Sequence, residues 1–167
     1  MRSVLLSVGV ISATVFPAFA GFDRWTAEIE KDPFSGGKKV IVDFSSTIRS
    51  GVLITCDTAE QGLMVRAVPG YDYNPSMKGF TPEMQFAFDG ELLFGEEGET
   101  GSVGNNLAAA QVQLTGDKAE RFVKAFATAK SQVAIKDGIS ERPLLLKAKG
   151  TGKVGAELIS CIAAQKK

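Results

Sequence analysis

Acidic side chains crowd one glycine-rich stretch of this 167-residue chain, at residues 89–101. Carboxylate oxygens are the ligands that hard cations such as Ca²⁺ prefer, and a pair of carboxylates at a suitable separation can hydrolyse a glycosidic bond. The stretch therefore raises two chemical possibilities, a cation site and a carboxylate-based hydrolase of cell-wall sugars. The acids concerned are Asp89, Glu91, Glu96, Glu97 and Glu99.

The spacing of these acids fits no EF-hand loop. We interpret residues 95–101 as a turn at a solvated hairpin tip and keep Glu96, Glu97 and Glu99 as weak candidates for a metal site. A cleft holding two of the acids Asp89, Glu91, Glu96 and Glu97 about 5–10 Å apart would favour the hydrolase.

The sequence contains no histidine. This excludes a Ser-His-Asp triad, a Cys-His pair and a histidine metal ligand, and it leaves no side chain that normally titrates near pH 7. No nucleophile motif is present either. We therefore assign no catalytic residue and no cofactor, and we expect a protein that is not an enzyme.

The two cysteines, Cys56 and Cys161, allow a single pairing. Cys56 falls on the inward face of a predicted strand, and Cys161 falls on the apolar stripe of a predicted helix. Zinc is disfavoured, because a structural zinc site needs four Cys or His ligands. We predict a disulfide that closes a loop of about 100 residues, worth at most roughly 4–5 kcal/mol in the chain-entropy account.

Aromatic residues mark an irregular segment at residues 68–82, which holds three of the six prolines. Tyr71, Tyr73 and Phe80 lie there, and aromatic side chains on a loop bury much area at little entropy cost when a partner binds. They can equally fold back over a sheet edge and protect it. Both interpretations stay open, and these three residues are the best candidates for binding a partner.

The first twenty residues have the order of a secretory signal peptide. Arg2 provides a positive charge, residues 4–15 form an apolar run, and Ala18-Phe19-Ala20 is a small-residue cleavage site. We predict cleavage after Ala20, a single exported β-rich domain at residues 21–167, and a periplasmic or secreted location. The run is too short for a stable membrane anchor, and no later run is long enough to span a bilayer.

The net charge argues against a nucleic-acid partner. Loss of residues 1–20 removes one charged residue and leaves a net charge of −1. Nucleic-acid binding relies on a basic surface that neutralises phosphates, and this balance does not provide one.

Alternation of apolar and polar residues dominates the rest of the chain. Residues 40–44, 52–56 and 84–88 show it most clearly, and Gly and Pro clusters separate such runs. Two late segments instead have helical spacing, one with its apolar stripe from Ala119 to Ala127 and the other at about residues 153–164. We predict an α+β fold that is mainly β: an antiparallel sandwich or barrel of about seven to nine strands with two late helices, the last one held by the disulfide.

The layout resembles that of small exported bacterial proteins of the invasion-associated locus B family and of the periplasmic accessory proteins of type VI secretion. The resemblance rests on Trp25 before Asp32-Pro33-Phe34, on Gly51–Asp57, on a helix at 122–129 followed by Gln132–Lys136, on residues 144–150, and on a final helix carrying Cys161. No cysteine accompanies Trp25, whereas invasion-associated proteins tend to carry more cysteines. The resemblance implies a non-enzymatic role in the cell envelope, linked to host interaction or secretion.

These observations favour an exported envelope protein that binds a protein or glycan partner and turns over no substrate. The alternatives are a carboxylate-based cell-wall hydrolase and an inhibitor of a hydrolase. A flat surface with a protruding aromatic loop would favour binding or inhibition.

Overall fold

The computed structural model describes residues 22–34 and 36–165. The predicted signal peptide and its cleavage site lie outside the described residues. The described chain forms two antiparallel sheets and two α-helices. The mainly β α+β fold predicted from the sequence is confirmed.

Six strands form the larger sheet, in the order β1-β2-β3-β4-β8-β7. Apolar and polar residues alternate along its inner strands, so the apolar side chains all point to one face. That face is buried, as Val40, Val42 and Phe44 show. β1 pairs only with β2, and its Ile29 stays 43% exposed at the edge of the sheet. The strands are β1 (Thr26–Lys31), β2 (Lys38–Ser45), β3 (Gly51–Asp57), β4 (Leu63–Val68), β7 (Glu99–Val103) and β8 (Leu107–Leu114).

Four strands form the smaller sheet, in the order β10-β9-β5-β6. Met84, Phe86 and Phe88 on β5 are buried, as their alternation predicts. A bulge on β6 breaks the register after Phe86, which pairs with Phe94 while Ala87 pairs with Leu92. The strands are β5 (Glu83–Phe88), β6 (Glu91–Glu97), β9 (Gln132–Lys136) and β10 (Leu144–Lys147).

A single glycine joins the two sheets on one side. β6 ends at Glu97 and β7 begins at Glu99, so the chain passes from the small sheet to the large one at Gly98. A Cβ atom at Gly98 would lie 2.5 Å from the carbonyl oxygen of Gln111, which explains why this corner accepts only glycine. The predicted turn at residues 95–101 is therefore wrong, since these residues lie mostly within two strands. The described strands number ten, slightly above the predicted seven to nine.

The opposite sides of the sheets meet through Trp25, just before β1. Its backbone N–H donates to the carbonyl oxygen of Lys149 at 2.9 Å, and its indole Nε1 donates to that of Lys147 at 3.0 Å. The ring is 1% exposed and lies 5.2 Å from Phe44 and 4.8 Å from Phe126, measured between ring centroids. The two sheets remain separate, so the architecture is a sandwich and not a closed barrel.

Both predicted helices are present. α1 (Gly116–Thr128) buries Ala119, Phe122, Val123 and Phe126, the stripe read from the sequence. Phe122 packs edge-on against Phe86 of the small sheet, at 5.2 Å between ring centroids. α2 (Thr151–Ala164) packs on β2 and β3 of the large sheet. Neither helix in the described part of the chain is long and apolar enough to cross a membrane.

The disulfide between Cys56 and Cys161 is formed, which confirms the pairing predicted from the sequence. Their Cα atoms lie 6.3 Å apart, and both residues are fully buried between β3 and α2. Beyond the helix, Gln165 adds a second attachment. Its side-chain amide donates to the carbonyl oxygens of Asp57 and Gly62, and its Oε1 accepts from Gly62 N–H.

The two helices pack closely together at Gly155. A Cβ atom there would lie 2.6 Å from the Cβ of Ala127 on α1, so Gly155→Ala should force the helices apart. We expect this crowding to lower the free energy of unfolding by about 1–3 kcal/mol. The higher helix propensity of alanine offsets part of that loss. Chemical denaturation measures this.

Gly152→Ala is the matched control, because it adds the same methyl group to the same helix. There the new Cβ would meet only the carbonyl oxygen of Ala127, at an ordinary 3.7 Å. We expect no loss of stability. Equal effects of the two substitutions would contradict the close helix contact.

Candidate functional site

The loops at one end of the sandwich form the candidate site, which we call the loop end. Antiparallel strands return the chain to the same end of the sheets, so connections distant in sequence meet there. The connection that contains α1 lies at the other end of the larger sheet, since it leaves β8 at Leu114, which pairs with Leu63. The loop end consists of residues 46–50, 69–82, 104–106 and 137–143.

Tyr71 ties the aromatic loop 69–82 to the smaller sheet. Its phenolic Oη donates to the carbonyl oxygen of Ile139 at 2.6 Å. Partial burial and, second, the negative charge of Asp137 raise the pKa of Tyr71 above its usual value of 10.0. The phenol therefore stays protonated and keeps donating this hydrogen bond across the whole physiological pH range.

Asp137 supports the loop on which Tyr71 rests. Its side chain is fully buried and accepts hydrogen bonds from the backbone N–H groups of Ile139 and Ser140 and from the Ser140 hydroxyl. A buried carboxylate is costly unless it is satisfied in this way. We assign Asp137 a role in holding residues 137–143 in one conformation.

Other contacts link loop 69–82 to the larger sheet. Arg49 forms an ion pair with Asp72, and the Tyr73 N–H donates to the carbonyl oxygen of Asn106 at 2.8 Å. The Thr100 hydroxyl of β7 donates to the carbonyl oxygens of Met77 and Phe80.

A short 3₁₀ turn at Pro75–Met77, capped by the Asn74 side chain, completes the loop. These contacts hold the loop against β7, the edge strand of the larger sheet, and against the residues that precede β8.

The loop end still exposes apolar side chains. Among the predicted partner-binding residues, Phe80 is 50% exposed, Tyr71 is 37% exposed and Tyr73 is half-buried. Sequence reasoning missed Ile48, which is 90% exposed in the adjoining turn 46–50. The sequence could have indicated it, because Ile48 is the one apolar residue in the polar turn Ser46-Thr47-Ile48-Arg49-Ser50.

The three glutamates proposed as weak metal candidates do not come together. Glu96 forms an ion pair with Lys118 of α1, whereas Glu97 pairs across the strands with Glu83 on the opposite face of the small sheet. Glu99 lies beyond the corner and accepts a hydrogen bond from Gln111. In residues 22–34 and 36–165, no group of three or more Cys, Asp or Glu side chains is placed to hold a metal ion.

Asp89, one of the acids considered for glycoside hydrolysis, is a structural residue at the β5–β6 turn. Its two oxygens accept from Lys130 N, Ser131 N and Gln132 N at 2.7–3.0 Å and from the Ser131 hydroxyl at 2.7 Å. These donors hold its pKa well below the usual 3.8, the backbone of Gln132 having the largest effect. A general acid needs a raised pKa and a nucleophile needs a free oxygen, so Asp89 suits neither role.

The lowered pKa makes Asp89 a contributor to stability at neutral pH. A carboxylate whose pKa is depressed by folding stabilises the protein above its unfolded pKa, and the contribution is lost as pH falls through the folded pKa. For Asp89 this loss begins near pH 4 and continues below pH 2. Asparagine tolerates the positive φ of 52° at this position, so Asp89→Asn tests the carboxylate alone. We expect this variant to be less stable than the wild type at pH 7. The difference in the free energy of unfolding between the two proteins should shrink as the pH falls from about 4 to 2.

Urea denaturation of both proteins across this pH range provides the measurement. Glu91→Asn is the control, because it removes one charge from the same turn region without touching residues 130–132. Parallel stability curves for the wild type and Asp89→Asn would contradict the assigned role.

Comparison with known proteins assigns no relative. No protein-family model, curated protein or solved structure matches this chain. The geometry of the loop end is therefore the basis for the functional proposal, and the resemblance noted in the sequence remains a prediction.

Proposed function

We propose that this chain is an exported, non-catalytic accessory protein of the bacterial cell envelope, which binds a partner through the loop end. One observation carries the proposal. Phe80 is 50% exposed on a loop that is fastened to β7 by the Thr100 hydroxyl and to the β9–β10 connection by the Tyr71 phenol. A loop already held in place loses little conformational entropy on binding, so the apolar area of its exposed aromatics converts efficiently into affinity.

The composition of the loop end supports the same conclusion. The loop end exposes the apolar side chains of Ile48, Tyr71 and Phe80, and it also carries the exposed ion pair between Arg49 and Asp72. Interfaces commonly combine aromatic anchors with arginine and a polar rim.

The buried disulfide supports the extracytoplasmic part of the proposal. Structural disulfides form and persist in oxidising compartments such as the periplasm and the cell exterior. The signal peptide predicted at residues 1–20 and the resemblance to invasion-associated and type VI secretion accessory proteins point in the same direction. The proposal includes a link to host interaction or secretion.

Site-specific photo-crosslinking tests the proposal. A photoreactive phenylalanine analogue at position 80, in protein spanning residues 21–167, is exposed to the envelope fraction of the source organism. The matched control carries the same analogue at Phe34, which is 98% exposed in the β1–β2 connection at the opposite end. We expect a discrete adduct from position 80 and none from position 34.

The captured partner is then purified, and its affinity is measured against the wild type, Phe80→Ala and Phe34→Ala. We expect Phe80→Ala to weaken binding about tenfold or more and Phe34→Ala to have no effect. Calorimetry with purified envelope polysaccharide forms the glycan arm of the test. Equal crosslinking at both positions, or unchanged affinity in both arms for Phe80→Ala, would reject the loop end as the binding site.

A further inference from the structure

The outer face of the smaller sheet carries an apolar row that crosses all four of its strands. Leu145 pairs with Ala134, Ala134 with Ala87, and Ala87 with Leu92, so the four residues lie side by side. Buried residues flank Leu145, Ala134 and Ala87 along their strands, which places these three on the face turned away from the core, and Leu92 shares that face because it pairs with Ala87. The buried flanking residues are Leu146, Val133, Ile135, Phe86 and Phe88.

This row is exposed to solvent. Leu145 is 61% exposed and Leu92 is 67% exposed, at the two ends of the row, while Ala134 and Ala87 between them are half-buried. The solvated face of an antiparallel sheet is normally polar. The outer face of the larger sheet is closer to that rule. There Leu53 is flanked across the strands by two charged residues, Asp43 on β2 and Arg66 on β4.

Charges divide the outer face of the smaller sheet into two halves. Lys136 lies on β9, whereas Glu83 and Glu97 lie side by side on β5 and β6. None of these three takes part in an ion pair with the described residues, while Lys147 on β10 is held by Asp23. The face therefore has a basic half and an acidic half that leave their charges available.

We propose that this face binds the same face of a second copy of the chain. A two-fold axis parallel to the strands would lay β10 of one copy over β6 of the other, and β9 over β5. Leu145 would then contact the partner's Leu92, the alanines would let the sheets approach closely, and Lys136 would lie near the partner's Glu83. A contact of this kind is isologous and closes after two subunits.

The size of the face sets the expected strength. Four strands are about 14 Å wide, so the buried area falls below that of a standard stable interface. We expect a reversible dimer whose population rises with concentration. The inference is independent of the loop end, because it uses a different face of the molecule.

Complementary charge variants test the proposed register. Sedimentation equilibrium is measured from about 10 μM to 1 mM, where weak interfaces associate. We expect the wild type to dimerise, and we expect Leu92→Lys and Leu145→Glu to weaken self-association about tenfold or more. An equimolar mixture of the two variants should dimerise again, because each new lysine then faces a new glutamate.

Recovery in the mixture shows that each variant is folded, since a misfolded subunit could not pair. Leu53→Lys, on the outer face of the larger sheet, is the control and should dimerise like the wild type. A wild type that stays monomeric at 1 mM would overturn the proposal. So would single variants that dimerise normally, or a mixture that stays monomeric while both variants melt cooperatively.

Discussion

Replacing Cys56 and Cys161 together by alanine is expected to lower the free energy of unfolding by about 2–5 kcal/mol. The bridge joins residues 105 positions apart, so its loss frees a long segment of the unfolded chain. Both sulfurs are fully buried, and the substitution also leaves unfilled space between β3 and α2. The two effects act in the same direction.

Thermal melts with and without reductant provide the measurement. The wild type should melt at a lower temperature under strong reductant, whereas the double-alanine variant should be indifferent to it. In the double-alanine variant, hydrogen exchange should show α2 losing protection before the strands, because the bridge is the covalent link that fastens this helix to β3. Two titratable thiols in the folded exported protein, or a wild-type melt that ignores reductant, would contradict the bridge.

Trp25→Ala is expected to cost about 3–5 kcal/mol, the usual loss for truncating a large buried aromatic residue. The side chain is 1% exposed and contacts Phe44 of the larger sheet and Phe126 of α1. Its removal would leave a cavity where three elements meet and would orphan the carbonyl oxygen of Lys147.

Trp25→Phe separates the contribution of ring packing from that of the indole hydrogen bond. This variant retains much of the ring packing and loses the hydrogen bond, so its free energy of unfolding should fall clearly less than that of Trp25→Ala. Urea denaturation followed by far-UV circular dichroism measures both variants. A loss below about 1 kcal/mol for Trp25→Ala would show that the N-terminal segment is not needed to hold the sheets together.

Local patterns in the sequence account for much of the fold. The alternation at residues 84–88 and the helical stripe from Ala119 to Ala127 each predicted an element and its buried face, because both periodicities are properties of neighbouring residues. The disulfide followed from the same reasoning, since each cysteine lay on a predicted inward face.

Non-local pairing accounts for what the sequence did not predict. Gly95, Gly98 and Gly101 indicated a turn, yet the chain continues as strands through all but one of these positions, because Gly98 allows a change of sheet. The division of strands between two sheets depends on which edges pair, and no local pattern records that choice.

The candidate site was predicted only in part. Aromatics at Tyr71, Tyr73 and Phe80 identified loop 69–82 from composition alone. The contribution of Ile48 and the support from Asp137 arise because loops distant in sequence meet at one end of the sandwich. The hydrolase alternative loses its support at Asp89 because backbone donors from residues 130–132 occupy its oxygens, an arrangement that only the folded chain reveals.

Trp25 is also the only tryptophan in the sequence. Its intrinsic fluorescence therefore comes from one known position, where the N-terminal segment, the larger sheet and α1 meet. Emission from this buried indole should shift to longer wavelength when water reaches the junction, and the shift needs no added label. Binding at the loop end or at the outer face of the smaller sheet should leave the emission unchanged, so the same signal distinguishes ligand binding from separation of the sheets.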